Sequence, residues 1–237
     1  MTKIVTVHAR KGGVGKTTLA YELAWLLDAV LVDLDYEAGD ATGAWGWKPG
    51  DHATSPLLDA LEKGRVPKPV TGFRKADLVP GHPQFSLYDG DAGDISDALS
   101  KWASEWGREW VVVDTHNGYS EATTGALQAA NLVLAPVPLA VKDLMATRAL
   151  VDDLADYPLV LIPSIVRNAP AQMTKRLRDI VGGTPVQVGP FVPYRRTVAQ
   201  RTKRMAISAE DPPSKDLQPV KAAMVQIAGY VKEYLDA

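Results

Sequence analysis

The chain has 237 residues, 46% of them hydrophobic and 23% charged, with a formal net charge of −2. That length and balance suit one globular domain able to bury a full sheet between two helical layers. There is no cysteine, which excludes disulfides, cysteine-ligated iron–sulfur clusters and thiolate zinc sites.

The elements alternate along the chain. A short apolar strand, Ile4–Val7, leads into the loop Arg10-Lys-Gly-Gly-Val-Gly-Lys-Thr-Thr18. A helix over 17–27 follows, with Leu19, Leu23, Leu26 and Leu27 at helical spacing. Residues 29–34 read as a buried strand that delivers Asp33 and Asp35 to its C-terminal end, and 36–43 read as a loop. Trp45 and Trp47 either face a partner or close the edge of the core. A helix is predicted over 55–63, a surface connection over 64–76, and a strand and turn over 77–81. Residues 82–92 read as a loop with His82 on the surface. An amphipathic helix over 94–106 carries Ile95, Leu99, Trp102 and Trp106. The strand 109–114 is apolar and ends in Asp114. Helix 120–130, strand 132–135, helix 141–156, strand 159–162, helix 171–181 and strand 185–188 continue the alternation. It argues for an α/β fold: a doubly wound, mostly parallel sheet with helices on both faces, in a single domain over 1–237.

The glycine loop carries the most specific chemistry. Strand, glycines, Lys-Thr and helix in that order form a phosphate-binding loop. Gly12, Gly13 and Gly15 permit backbone conformations that bring N–H groups onto a phosphate, and the helix N-terminus favours an anion. Val14 and Thr18 belong to the same cradle. Lys16 is placed to reach the β and γ phosphates and Thr17 to ligate Mg²⁺. An apolar strand ending in an acid makes Asp114 a second Mg²⁺-holding residue, expected to hold the metal through a water. Asp33 and Asp35 stand at the ligand-binding end of a parallel sheet.

The form Lys11-Gly-Gly-x-Gly-Lys-Thr-Thr, with Arg10 where the usual motif has its first glycine, resembles the signature of the ParA/MinD family of ATPases. The resemblance continues in residues 31–42, in 111–115 and, more weakly, beyond. It implies that Lys11 crosses a dimer interface to the partner's nucleotide, that Asp35 positions the attacking water, and that Asp33 lies near Mg²⁺. Lys11, Lys16 and Asp35 are thus the expected catalytic set, and Thr17, Asp33 and Asp114 the metal set. It also implies that Asn168, Pro190 and Phe191 pack the adenine. The family usually has a proline pair after the strand-end aspartate. Here Asp114-Thr-His-Asn-Gly118 has His116 and Asn117 instead, which bears on loop stiffness and hydrolysis rate.

Residues 1–159 sum to −8 and residues 160–237 to +6, so the C-terminal third is the basic part. Arg195, Arg196, Arg201, Lys203 and Arg204 form a run without an acid, either a solvated basic face or a grip on DNA phosphates that reads no sequence. The last helix, 215–236, has an apolar stripe through Val220, Met224, Ile227, Val231 and Leu235, expected to pack on the core rather than on a membrane. No run suits a signal peptide or a membrane span, so a cytoplasmic, nucleoid-associated protein is expected, without a preceding helix-turn-helix. By resemblance the chain is a DNA-partition ATPase, using ATP and Mg²⁺. It would be a homodimer when ATP-bound, hold non-specific DNA, and be released by a ParB-type centromere-binding protein. The open alternatives are the same engine with a non-DNA cargo, a dethiobiotin-synthetase-like ligase, and a membrane-associated regulator.

Overall fold

The computed structural model describes residues 1–36, 41–167 and 171–237. Seven strands form one sheet in the order β3-β2-β4-β1-β5-β6-β7. They are β1 (Lys3–Val7), β2 (Val30–Asp33), β3 (Asp77–Val79), β4 (Trp110–Asp114), β5 (Leu132–Pro138), β6 (Leu159–Ser164) and β7 (Gln187–Val188). Every pairing between them is parallel. Their C-terminal ends therefore share one edge, where open α/β sheets bind ligands.

Side-chain alternation divides the core. Val5 and Val7 of β1, Leu132 and Leu134 of β5, and Val160 and Ile162 of β6 point to one face. There they meet helix α1 (Lys16–Leu26) and the last helix, α9 (Gln218–Asp236). Ile4, Val30, Val32, Val111 and Val113 point to the other face, under helices α3 (Pro56–Glu62) and α4 (Ala92–Glu105). Val133, Ala135, Leu159 and Leu161 extend that face under α6 (Val141–Leu154) and α7 (Ala171–Val181). The continuous apolar strands follow from this covering on both sides. Helix α9 buries Val220, Ala223, Met224, Ile227, Ala228 and Val231, so its stripe is core packing. Among the described residues no helix is long and apolar enough to cross a membrane.

Local chemistry sets the helix starts. Ser55 caps α3, Asp91 caps α4, and Ser120 caps α5 (Glu121–Gln128), each accepting a hydrogen bond from an N–H in the first turn. The Asp91 cap begins α4 at Ala92, two residues before the predicted start at 94. Helix α9 begins at Gln218, because Leu217 and Gln218 close a turn back onto the Ser214 carbonyl. Two expectations are corrected. Part of the predicted 36–43 loop is helical, α2 (Ala41–Trp45). His82 is buried rather than on the surface: its Nδ1 accepts the Gln84 N–H at 3.1 Å and caps the 3₁₀ turn Pro83–Leu87. Trp45 closes the core edge, donating to the Ala76 carbonyl at 2.8 Å, and Trp47 stacks on His52 at 4.2 Å.

Candidate functional site

The loop between β1 and α1 lies at the C-terminal edge of the sheet, between the exits of β4 and β5. Gly15 is the N-cap of α1 at φ 95°, left-handed, and Gly13 sits at φ 73°, so both positions demand glycine. No side chain caps α1. Its first N–H groups are thereby left to an anion, as a phosphate-binding loop requires.

Acids converge on Lys16. Its ammonium, 5% exposed, lies 2.8 Å from Asp114 Oδ1 and 3.6 Å from Asp35 Oδ2. Burial alone would lower Lys16, but the pull of Asp114, Asp35 and Asp33 outweighs it and holds the ammonium above the ordinary lysine range. Burial pushes the Asp114 carboxyl up against the opposing pull of Lys16 and Thr17. Asp114 is fully buried, and its Oδ2 has no hydrogen-bond partner among the described residues. A buried carboxylate oxygen without a donor, next to the Thr17 hydroxyl, fits a hard divalent cation that also takes phosphate oxygens. Among the described residues no group of three or more acids, histidines or cysteines could hold a metal alone.

Asp33, expected near Mg²⁺, is hydrogen-bonded within the protein. Its Oδ1 accepts the Asp35 N–H, and its Oδ2 accepts both the Thr42 N–H and hydroxyl at 2.7 Å. Thr42 in turn takes the Gly81 N–H at 2.8 Å. The carboxylate thereby joins the ends of β2, α2 and β3. Asp35 faces the site, buried, with Oδ1 2.9 Å from His116 Nδ1.

A cavity of about 370 Å³ opens beside the loop. Gly13 to Leu19, Asp35 and Asn117 form its polar end, and Ile162, Val192, Tyr194, Val198 and Met224 its apolar end. The residues expected to pack the adenine do not line this cavity among those described. Pro190 and Phe191 line a different groove with Leu139, Val166 and Leu177, and Phe191 is 55% exposed. The loop after β7 does reach the cavity, but through Val192, Pro193 and Tyr194. It is turned there by pairing with the loop after β6: Val166 donates to the Val192 carbonyl and Tyr194 to the Val166 carbonyl. Asn168 lies outside the described residues.

Lys11 and Arg10 stand on the loop's outer rim. Lys11 is 3.1 Å from Asp143 and Arg10 is 2.8 Å from Asp153, both acids on α6. Gly12 packs near the Asn117 amide.

The basic run divides. Arg201 is largely buried and donates through Nε to Glu210 Oε1 at 3.1 Å, and to the carbonyls of Lys203 and Met205. Its guanidinium folds the segment and is largely shielded from solvent, unlike the other cations of the expected DNA set. Lys203 also pairs with Glu210, at 2.7 Å, but is mostly exposed. Arg195 borders the nucleotide-sized cavity and lies 3.4 Å from Asp216. Arg196, in the short helix α8 (Arg196–Ala199), and Arg204 are exposed, as are Lys175, Arg176 and Arg178 on α7.

His8 is a site neighbour that the sequence did not signal. It is fully buried between the loop and β4, with Nδ1 3.2 Å from the Thr115 hydroxyl and Nε2 without a hydrogen-bond partner among the described residues. Burial, then Lys16 and Arg10, push its pKa down to about 4. One histidine at a strand end has no pattern that distinguishes it from a surface residue.

Loop, buried lysine and strand-end acids at one edge of a parallel sheet define a phosphate-binding-loop nucleotide protein. The model of the family described as the CobQ/CobB/MinD/ParA nucleotide binding domain matches residues 5–207, and the chain belongs to that family. The chain is 31% identical over 150 residues to the chromosome partitioning protein ParA of Myxococcus xanthus, covering 57% of this chain and 52% of that protein. It is 32% identical over 138 residues to the chromosome-partitioning ATPase Soj of Thermus thermophilus, covering 56% of this chain and 53% of the other. The matches thus span about half the length of these curated relatives. Among solved structures, MinD of Aquifex aeolicus has TM-score 0.74 at 21% identity, over 98% of this chain and 97% of that one. A plasmid partition protein of Borrelia burgdorferi bound to AMPPNP has TM-score 0.71 at 20% identity, over 98% and 100%. At such identities these likenesses speak for the fold.

Proposed function

We propose that the chain is an ATP-hydrolysing switch of the partition type. The observation that carries this reading is the lysine pair on one loop: Lys16 buried among Asp35 and Asp114, and Lys11 47% exposed on the rim. Lys11 points away from its own site and pairs with Asp143 on α6. In a sandwich dimer it can reach the partner's phosphates.

In this reading ATP lies with its phosphates on Gly12–Thr18 and its base among Val192, Tyr194 and Met224. Mg²⁺, held by Thr17 and Asp114 with phosphate oxygens, would neutralise charge on the transferring group. Water adds to the γ-phosphorus as the bond to the ADP oxygen breaks, and the water's proton leaves with inorganic phosphate. Asp35 orients that water, and Lys16 and Lys11 stabilise the equatorial oxygens. The ATP-bound homodimer holds DNA non-specifically through Arg196, Lys203, Arg204 and the cations of α7. A ParB-type protein stimulates hydrolysis and releases it, in a cytoplasmic, nucleoid-associated cycle. The relatives named ParA and Soj support this cargo.

The test is binding to a random-sequence duplex with ATP, ADP or no nucleotide across a salt series. Wild type is compared with Lys11→Ala and an Arg196/Arg204/Arg176 triple alanine. ATP-dependent, salt-sensitive binding, lost in both variants, supports the DNA switch. ATP turnover without DNA binding in any state would instead favour another cargo or a ligase.

A further inference from the structure

The loop after β4, Thr115–Gly118, contains no proline, so no fixed φ stiffens its backbone. Side-chain and backbone contacts hold it instead. The Thr115 hydroxyl donates to the Val7 carbonyl and the Gly118 N–H to the Ala9 carbonyl. His116 makes a further link, and it leads toward the loop after β2. Its Nδ1 is 2.9 Å from Asp35 Oδ1, and its ring stacks on Tyr36 with centroids 4.5 Å apart and planes 15° apart. Asp35 Oδ2 lies 3.6 Å from Lys16. The two oxygens of one buried carboxylate are therefore each directed by a different neighbour. An ionised carboxylate only accepts, so Nδ1 carries the hydrogen.

We propose that His116 is a positioning residue for hydrolysis: it fixes the Asp35 carboxylate toward Lys16 and, through Tyr36, locks the loops after β2 and β4 into one unit. The proposal rests on the ATPase reading above, in which Asp35 orients water. A carboxylate in that role is effective only when its lone pairs are held still, and a misplacement of about 1 Å is enough to cost on the order of 100-fold in rate. His116 supplies by a side-chain bond the rigidity that this loop lacks in its backbone.

The test uses the full chain with His116→Ala and His116→Asn. The asparagine amide places an N–H near the position of Nδ1; alanine does not. Three quantities are read: kcat and KM for ATP, the Kd of adenylyl imidodiphosphate, and the ¹⁵N NMR signature of the His116 ring in the nucleotide-free protein. The expected result is a kcat about 10- to 100-fold lower in His116→Ala, with KM and analogue Kd within about twofold. His116→Asn recovers most of the rate, and the nucleotide-free wild type shows hydrogen on Nδ1 that is lost in Asp35→Ala. An unchanged kcat in His116→Ala, or an analogue affinity that falls as far as kcat, overturns the positioning role. Hydrogen on Nε2 alone does the same. A wild type that binds the analogue but turns over no ATP overturns the ATPase reading, and the positioning role with it.

Discussion

Lys11 Nζ and Asp143 Oδ1 lie 3.1 Å apart, tying the rim of the phosphate-binding loop to the first turn of α6 within one chain. In the dimer proposed above, Lys11 turns to the neighbouring subunit, and this intrachain pair competes with that reach. Dimerisation through Lys11 must first break this pair. The pair is half exposed on the lysine side, so its worth is at most about 1 kcal/mol. Asp143→Asn should therefore raise the ATP-dependent dimer fraction by up to about fivefold in association constant. Sedimentation equilibrium with ATP, against the wild type, measures it. An unchanged association constant would mean that the pair does not restrain Lys11.

Among the described residues, Asp114 carries a buried oxygen with no donor, and its other oxygen accepts from Lys16. Asp114→Asn should leave nucleotide binding in EDTA within a few-fold. It should reduce Mg²⁺-dependent hydrolysis by about 100-fold or more, as expected when a charge-neutralising metal loses a ligand. Equal Mg²⁺ stimulation in variant and wild type would remove Asp114 from the metal site.

His8 gives a pH dependence of defined sign. The unfolded chain takes up a proton on this histidine below about pH 6.5, whereas the folded protein refuses it until about 4. The unfolded state binds more protons throughout that window, so stability falls as pH falls through it. The loss contributed by His8 is on the order of 3 kcal/mol across the whole window. Urea unfolding at pH 7 and pH 5 should show a smaller acid destabilisation in His8→Asn, which has no proton to take. Identical pH dependence in the two proteins would rule His8 out as its source.

Arg201 and Arg196 are close in sequence and should fail differently. Arg201→Ala leaves the nearly buried Glu210 with Lys203 alone and strips donors from two carbonyls. A loss of about 2–4 kcal/mol in unfolding free energy is expected. Arg196→Ala, on an exposed face, should change stability by less than about 0.5 kcal/mol. It should weaken DNA binding and lower the salt slope by about one. Chemical denaturation beside a salt-titrated DNA-binding assay separates the two. A stability loss from Arg196→Ala equal to that from Arg201→Ala would contradict the division.

The sequence by itself determined the strand-and-helix order, the phosphate-binding loop and the delivery of Asp35 and Asp114 to one edge. These depend on local patterns: apolar runs, glycines ahead of Lys-Thr, and acids at strand ends. It also marked the α9 stripe as core, because helical periodicity survives without knowing the partner. The Asp91 cap shows how far local reading falls short, since a side chain three residues ahead of the predicted start set where the helix begins. Only the tertiary structure decided which polar groups meet. Asp33 accepts from Thr42, and His82 and His8 are buried. Arg201 binds Glu210, and the cavity wall is Val192–Tyr194 instead of Pro190 and Phe191. His116 meets Asp35 from 81 residues away because β2 and β4 are paired with Asp33 opposite Asp114. Hydrogen bonds of that kind carry no sequence period. They are fixed by strand register, which the packing of two whole helical layers sets.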